Sequence, residues 1–133
     1  MSPDVDRAGP LTERVLSYER TMKELVPTIA APSDWAPLED FIAIGEFERI
    51  GVFLEVQTWA QYTEMLTQWA SSIDSFETTV RRVSELTDLV YYEIEERHRR
   101  GDVVSVVNTL TVFAFDEDLT IRHLDVYLQQ PPH

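Results

Sequence analysis

Hydrophobic and polar positions alternate most regularly in the last third of the chain, residues 88–129, which reads DLVYYEIEERHRRGDVVSVVNTLTVFAFDEDLTIRHLDVYLQ. A period of two over such lengths predicts β-strands, here Leu89–Arg99, Val103–Phe115 and Ile121–Gln129. Two short polar turns join them. Arg100-Gly101-Asp102 suits a hairpin because Gly tolerates the positive φ that tight turns need, and Asp116-Glu117-Asp118 forms the second. Upstream, Phe76, Thr78 and Val80 alternate with polar residues until Ser84 and predict a further strand.

The first half changes period. Leu11, Val15, Tyr18, Met22 and Val26 recur at steps of three and four, which predicts a helix over Leu11–Val26 that Pro27 ends. Ser33 or Asp34 can cap a short second helix, about Trp35 to Ile44, stopped by Gly45. A strand follows within Glu46–Leu54. Thr58-Trp59-Ala60-Gln61 is a capping box, in which Thr58 and Gln61 satisfy each other's backbone donors, and it opens a helix from Trp59 to about Ser72. That helix presents Trp59, Tyr62, Leu66, Trp69 and Ala70 on one face, so it should lie on the sheet.

Strand parity then assigns faces. Leu124, Val126 and Leu128 point to the core, which sends His123, Asp125 and Tyr127 outward. Val107, Thr109, Thr111, Phe113 and Phe115 share one face of the preceding strand. Its opposite face, Val106, Asn108, Leu110, Val112 and Ala114, is apolar enough to need cover, which a second copy of the chain packed on a convex sheet face would supply. Val90, Tyr92, Ile94, Glu96 and His98 share a face that starts apolar and ends in an ionisable pair, as expected of a strand running from core to polar site or, equally, to solvent.

Composition narrows the partners. The 133 residues allow one domain, taken as 11–129 between an N-terminal arm (1–10) and a tail (130–133). With no Cys, thiolate metal sites and a Cys nucleophile are excluded, and Glu96 with His98 offers too few ligands for a metal. A formal charge of −13 repels phosphate backbones and anionic membranes, so neither nucleic acid nor membrane is expected as a partner, and an uncharged or cationic ligand is favoured. Without a signal-like N-terminus or a spanning apolar run, the expected location is cytoplasmic.

The order helix, helix, strand, helix and twisted antiparallel sheet, closing on F-D-E-D-x-T-I-R-H-L-D-V-Y, resembles the nuclear transport factor 2-like superfamily. Within it the chain is most similar to the SnoaL-like group of polyketide cyclases and relatives of ketosteroid isomerase, limonene-epoxide hydrolase and scytalone dehydratase. The resemblance covers about Leu11 to Gln129. It implies an α+β fold, a cone-shaped α+β barrel whose strongly curved antiparallel sheet is covered on its concave face by about three helices. It further implies an apolar ligand in the cone, no cofactor, and a homodimer through the convex face.

Position by position, Tyr18 stands where ketosteroid isomerases place an oxyanion-donating Tyr, Glu48 near their carboxylate base, and Thr111 where they keep a protonated acid. The Arg and two Asp of the epoxide hydrolases would fall on Ile94, Glu96 and Val126, so one acid survives. The cyclases' base falls nearest Val126, with Asp125 one residue out of register and usable only if a bulge re-aims it. The dehydratases' Tyr and His would be Tyr18 and His98. The resulting expectation is general acid–base chemistry on a hydrophobic oxygenated substrate, with Tyr18, Glu48, Glu96 and His98 as catalytic candidates. Trp35, Trp59, Tyr92, Thr111, Phe113, Leu124 and Val126 are the expected substrate contacts. Plainer roles stand beside these: Glu46 and Glu48 as solvated edge residues, Tyr18 as helix-face filler, the tryptophans as core, and the whole as a non-catalytic ligand-binding or interaction module.

Overall fold

The computed structural model describes residues 9–132, so most of the arm (1–8) and His133 lie outside the described residues. Helix α1 spans Pro10–Leu25 and runs into a 3-10 turn, Val26–Thr28; a 3-10 segment, Pro32–Phe41, follows. Then come β1 (Glu48–Ile50), β2 (Val56–Gln57), α2 (Trp59–Ser72), β3 (Ser75–Glu85), β4 (Leu89–Arg100), β5 (Val103–Phe115) and β6 (Ile121–Gln129). The strands form one curved, open six-stranded sheet in the order β2-β1-β6-β5-β4-β3.

Long elements fall where periodicity places them, and short ones differ for local reasons. The second helix forms earlier and tighter than expected, as 3-10 turns starting at Pro32 and containing Pro37, whose missing N–H breaks the α-helical ladder. The strand expected over Glu46–Leu54 is cut to three residues, because Gly51 to Glu55 turn back and let Val56–Gln57 pair antiparallel with β1. β1 itself runs parallel to β6, with Glu48 beside His123 and Arg49 beside Leu124. The sheet is therefore mixed rather than wholly antiparallel. The Thr58–Gln61 capping box is formed, with bonds of 2.9 and 3.3 Å, and Gly101 takes φ 60° in the β4–β5 hairpin.

Strand parity holds along β4, β5 and β6 from His123 on, and the bulge at Arg122 brings Ile121 to the core side with Leu124. Val90, Tyr92, Ile94, Phe113, Phe115, Ile121 and Leu124 are buried in one core with Leu11, Val15, Tyr18 and Met22 of α1, Trp35 and Leu38 of the 3-10 segment, and Trp59, Tyr62 and Leu66 of α2. Register shifts between Val80 and Arg82, in the edge strand β3, and opposite Ala114 and Phe115, in the β5–β6 pair, mark bulges, which bend a strand locally.

Helix α1 lacks a side-chain cap of its own, since Gly9 is its N-cap. The carboxylate of Glu85, at the far end of β3, takes that role: its Oε1 accepts from both the Thr12 N–H and the Thr12 hydroxyl at 2.7 Å. A negative charge there also suits the positive end of the helix. Glu85→Ala should lower the unfolding free energy by about 1–2 kcal/mol, measured by chemical denaturation. An unchanged midpoint would mean that the contact anchors nothing.

Candidate active site

Between the sheet's concave face and the helices lies a cavity of about 280 Å³, near the lower end of small-molecule pockets. Helix α1 contributes Glu19, Met22 and Lys23 to its wall, and α2 contributes Tyr62, Met65, Leu66 and Trp69. Strands supply Arg49, Phe76, Thr78, Ile94, Glu96, Thr109, Thr111, Val126 and Leu128, and the β1–β2 turn adds Val52. The wall is thus mostly apolar, with two carboxylates and two cations set into it.

Glu96 is held from both sides. Its Oε2 accepts from the Thr109 hydroxyl at 2.6 Å across the β4–β5 pairing, and its Oε1 lies 2.8 Å from His98 Nε2. His98 is fixed in turn by the edges of Trp69 and Phe76, with ring centroids 5.7 and 6.3 Å away. A carboxylate with both oxygens engaged is positioned rather than free to rotate, as a catalytic group must be.

Glu19 faces it from α1 and is in a different state. Burial, reinforced by repulsion from Glu96 and only partly offset by Lys23, raises its pKa from 4.5 to about 8, so at neutral pH it keeps its proton. Lys23 is itself tied to the sheet by its Nζ–H bond to Thr78 Oγ1 at 3.1 Å. One wall of the cavity therefore presents a carboxylic acid and the opposite wall a positioned carboxylate. With Glu19 shifted in this way, one acid is set to donate a proton while the other is positioned to accept.

Of the residues expected in the site, the structure brings Glu96, Thr111 and Val126 to the cavity wall, with His98 bonded directly behind Glu96. Tyr18 is fully buried one layer back, packed edge-on against Phe41 and Phe113 at 6.0 Å. Its hydroxyl approaches Tyr62 without reaching hydrogen-bonding geometry and has no partner, and burial above all pushes its pKa well up from 10. Glu48 is not brought to the others. It projects from the helix-free face, half exposed, with His123 Nδ1 3.6 Å away, because on a three-residue strand Arg49 and not Glu48 takes the inward position.

Asp125 also stays outside, 3.2 Å from His123; the β6 bulge falls at Arg122, before His123, and Asp125 pairs in regular register with Val112, so it is not re-aimed. Trp35, Trp59, Tyr92, Phe113 and Leu124 are core residues behind the wall, Trp35 donating from Nε1 to Thr67 at 3.1 Å. Sequence reasoning missed Glu19 and Arg49. Glu19 sits three residues before Met22 and four after Val15, within the apolar stripe of its helix, and Arg49 shares its strand face with the buried Phe47. Those two parities were the available signals. Among the described residues, no three His, Asp or Glu side chains converge as a metal site, and no helix is long and apolar enough to cross a membrane.

Comparison with known proteins rests on structure. No family pattern and no curated protein matches the sequence. Solved structures do match. A protein from Shewanella denitrificans described as a candidate SnoaL-like polyketide cyclase is 10% identical, with 92% of each chain covered and a TM-score of 0.74. IdmH, a candidate polyketide cyclase from Streptomyces antibioticus, is 9% identical over 91% of this chain and 93% of its own, TM-score 0.74. TerC, crystallised with polyporic acid, is 8% identical over 91% and 92%, TM-score 0.71. Coverage of this breadth at such low identity establishes architecture, and the chain has the nuclear transport factor 2-like fold in the form shared by SnoaL-like proteins.

Proposed function

We propose that the protein is a cofactor-independent enzyme of the cyclase, isomerase or dehydratase kind, moving protons on a hydrophobic oxygenated small molecule inside the cone. The observation that carries this reading is the pair of carboxylates opening on one apolar cavity, Glu96 bonded by Thr109 and His98 and Glu19 kept protonated by burial. Glu96 takes a proton from a carbon beside a carbonyl, His98 passes that proton on, and Glu19 gives its own proton to the carbonyl oxygen as the enol forms. The mostly apolar wall strengthens each of these hydrogen bonds relative to water. Similarity in fold to candidate polyketide cyclases agrees with this chemistry, though fold alone does not fix it.

The second reading, a binding module without catalysis, is separated from the first by hydrogen exchange. Wild-type protein should catalyse deuterium uptake at the acidic C–H of a bicyclic enolisable ketone such as 2-tetralone, followed by NMR. Glu96→Gln should slow it by about 10²-fold or more. Absence of exchange for every enolisable ketone tried, with the same ketones bound, would leave the binding module.

The pH dependence follows from Glu19. As pH rises through about 8 the acid loses its proton, so the exchange rate should fall there, and Glu19→Gln should remove that fall while lowering the rate. Stability offers an independent check. A carboxyl with a folded pKa above its unfolded value of 4.5 binds its proton more tightly when folded. Its contribution is complete below pH 4.5 and is lost as pH rises through about 8. Denaturant midpoints of the wild type should therefore decline across that window more steeply than those of Glu19→Gln, and parallel curves would show that Glu19 is not buried in its acid form.

The same reading includes a homodimer through the helix-free face. Leu110 there is flanked across the strands by Glu93 and Tyr127, and Val106, Val112 and Tyr91 extend the apolar area. Light scattering should give twice the chain mass, and Leu110→Glu should halve it. A monomeric wild type would refute the dimer.

A further inference from the structure

Arg49 is the charged group of the cavity wall that proton transfer does not use. It is 8% exposed, and a guanidinium with five N–H donors in such a place needs acceptors. Among the described residues its only hydrogen bond runs from Nη1 to Gln57 Oε1 at 2.8 Å. The carboxylate of Glu55 stands off at 3.8 Å with a side chain 37% exposed. The Tyr62 ring lies under the guanidinium at 4.8 Å and supplies no acceptor lone pair in the plane of the fork.

The Nε–H is buried with no partner at all. The other buried orphan donor, the Tyr18 hydroxyl, also adjoins Tyr62 and feels the charge of Arg49. Backbone packing closes the opposite edge of the fork: at Gly51 a Cβ would stand 2.7 Å from Nη1 and run into the Glu55 carboxylate. Occupied on the Nη1 side and orphaned at Nε, the guanidinium is left with its Nε–Nη2 edge unpaired, the edge that takes a planar oxyanion side-on.

We infer that the cavity selects an anionic ligand, an apolar molecule whose carboxylate, or an equally planar delocalised oxyanion, docks on the Nε–Nη2 edge of Arg49. This names the substrate class for the acid–base site and rests on that reading. Of the two cations in the wall, Lys23 is exposed and bonded to Thr78, so the buried Arg49 is the charge that a ligand anion would meet, and Glu55, 37% exposed and 3.8 Å from Nη1, leaves the Nε–Nη2 edge open.

The test uses the full chain and three probes of one shape, 2-naphthoate, methyl 2-naphthoate and 2-naphthylmethylamine, titrated by calorimetry at pH 7. Naphthoate should bind at least about tenfold more tightly than its ester, with the amine weakest. Arg49→Met should erase the difference between acid and ester while keeping ester binding within about threefold, and Arg49→Lys, which keeps the charge but not the fork, should retain only part of it. Independently of any variant's folding, the Nε–H resonance of wild-type Arg49 should move on titration with naphthoate and stay in place with the ester. Equal binding of acid and ester, preference for the amine, no binding of naphthoate, or a stationary Nε–H signal each overturns the inference. Glu96→Gln separates it from the catalytic reading. Preference for the acid without ketone exchange in the wild type counts against catalysis alone, and exchange without that preference counts against the anion site alone.

Discussion

The seating of α1 across the sheet is the contact on which the site depends. Three bonds or packings fix it along its length: the Glu85 carboxylate on its first turn, Tyr18 between Phe41 and Phe113 at its middle, and Lys23 on Thr78 near its end. Glu19 lies between the second and the third. A carboxyl drawn out of water, and near Glu96 besides, is unfavourable as an anion, and with the helix pinned at both ends the conflict is resolved by keeping the proton. Relax the helix and both carboxylates ionise, which removes the difference in their roles. The same rigidity that makes a buried acid costly makes it chemically useful.

How far the chain could be read from sequence follows the length over which a period can be counted. α1, α2 and strands β3 to β6 carry between nine and sixteen residues each, and their faces were legible, so Glu96, Thr111 and Val126 could be placed on the concave side by parity alone. β1 has three residues. Over so short a run no alternation establishes itself, and a choice between Glu48 and Arg49 is decided by pairing with β6, a parallel contact more than seventy residues away in sequence. Glu48 is therefore named by the resemblance alone, and no sustained alternation in the sequence points to Arg49 beside it. Glu19 escaped for another reason: a charge at the margin of an apolar helix stripe ordinarily reaches water, and only the sheet's curvature closes over this one. Trp35 and Trp59 show the reverse, since these large aromatics expected around a ligand are taken up by the core, while Trp69 lines the cavity.

Global and local electrostatics point in opposite directions here. A formal charge of −13 favours neutral or cationic ligands at long range, but that field is screened over about 8 Å at physiological ionic strength. Inside the cone the buried Arg49 sits in a less polarisable setting, where its interaction with a ligand charge is stronger than in water. Net charge therefore governs how fast a ligand arrives and the cavity governs which one stays.

An anion seated on Arg49 would also bear on the acids opposite. Glu19 keeps its proton partly because Glu96 repels a second negative charge, and a ligand oxyanion adds to that repulsion. Binding then strengthens the hold of Glu19 on its proton, and by reciprocity a protonated Glu19 favours the anion. The acid and the anion site are thereby coupled without any movement of the chain: the ligand that best fits the guanidinium also secures the proton that the reaction needs. A neutral ligand of the same shape gains neither, so selectivity for charge and readiness for proton transfer arise from one arrangement of the cavity's charged side chains.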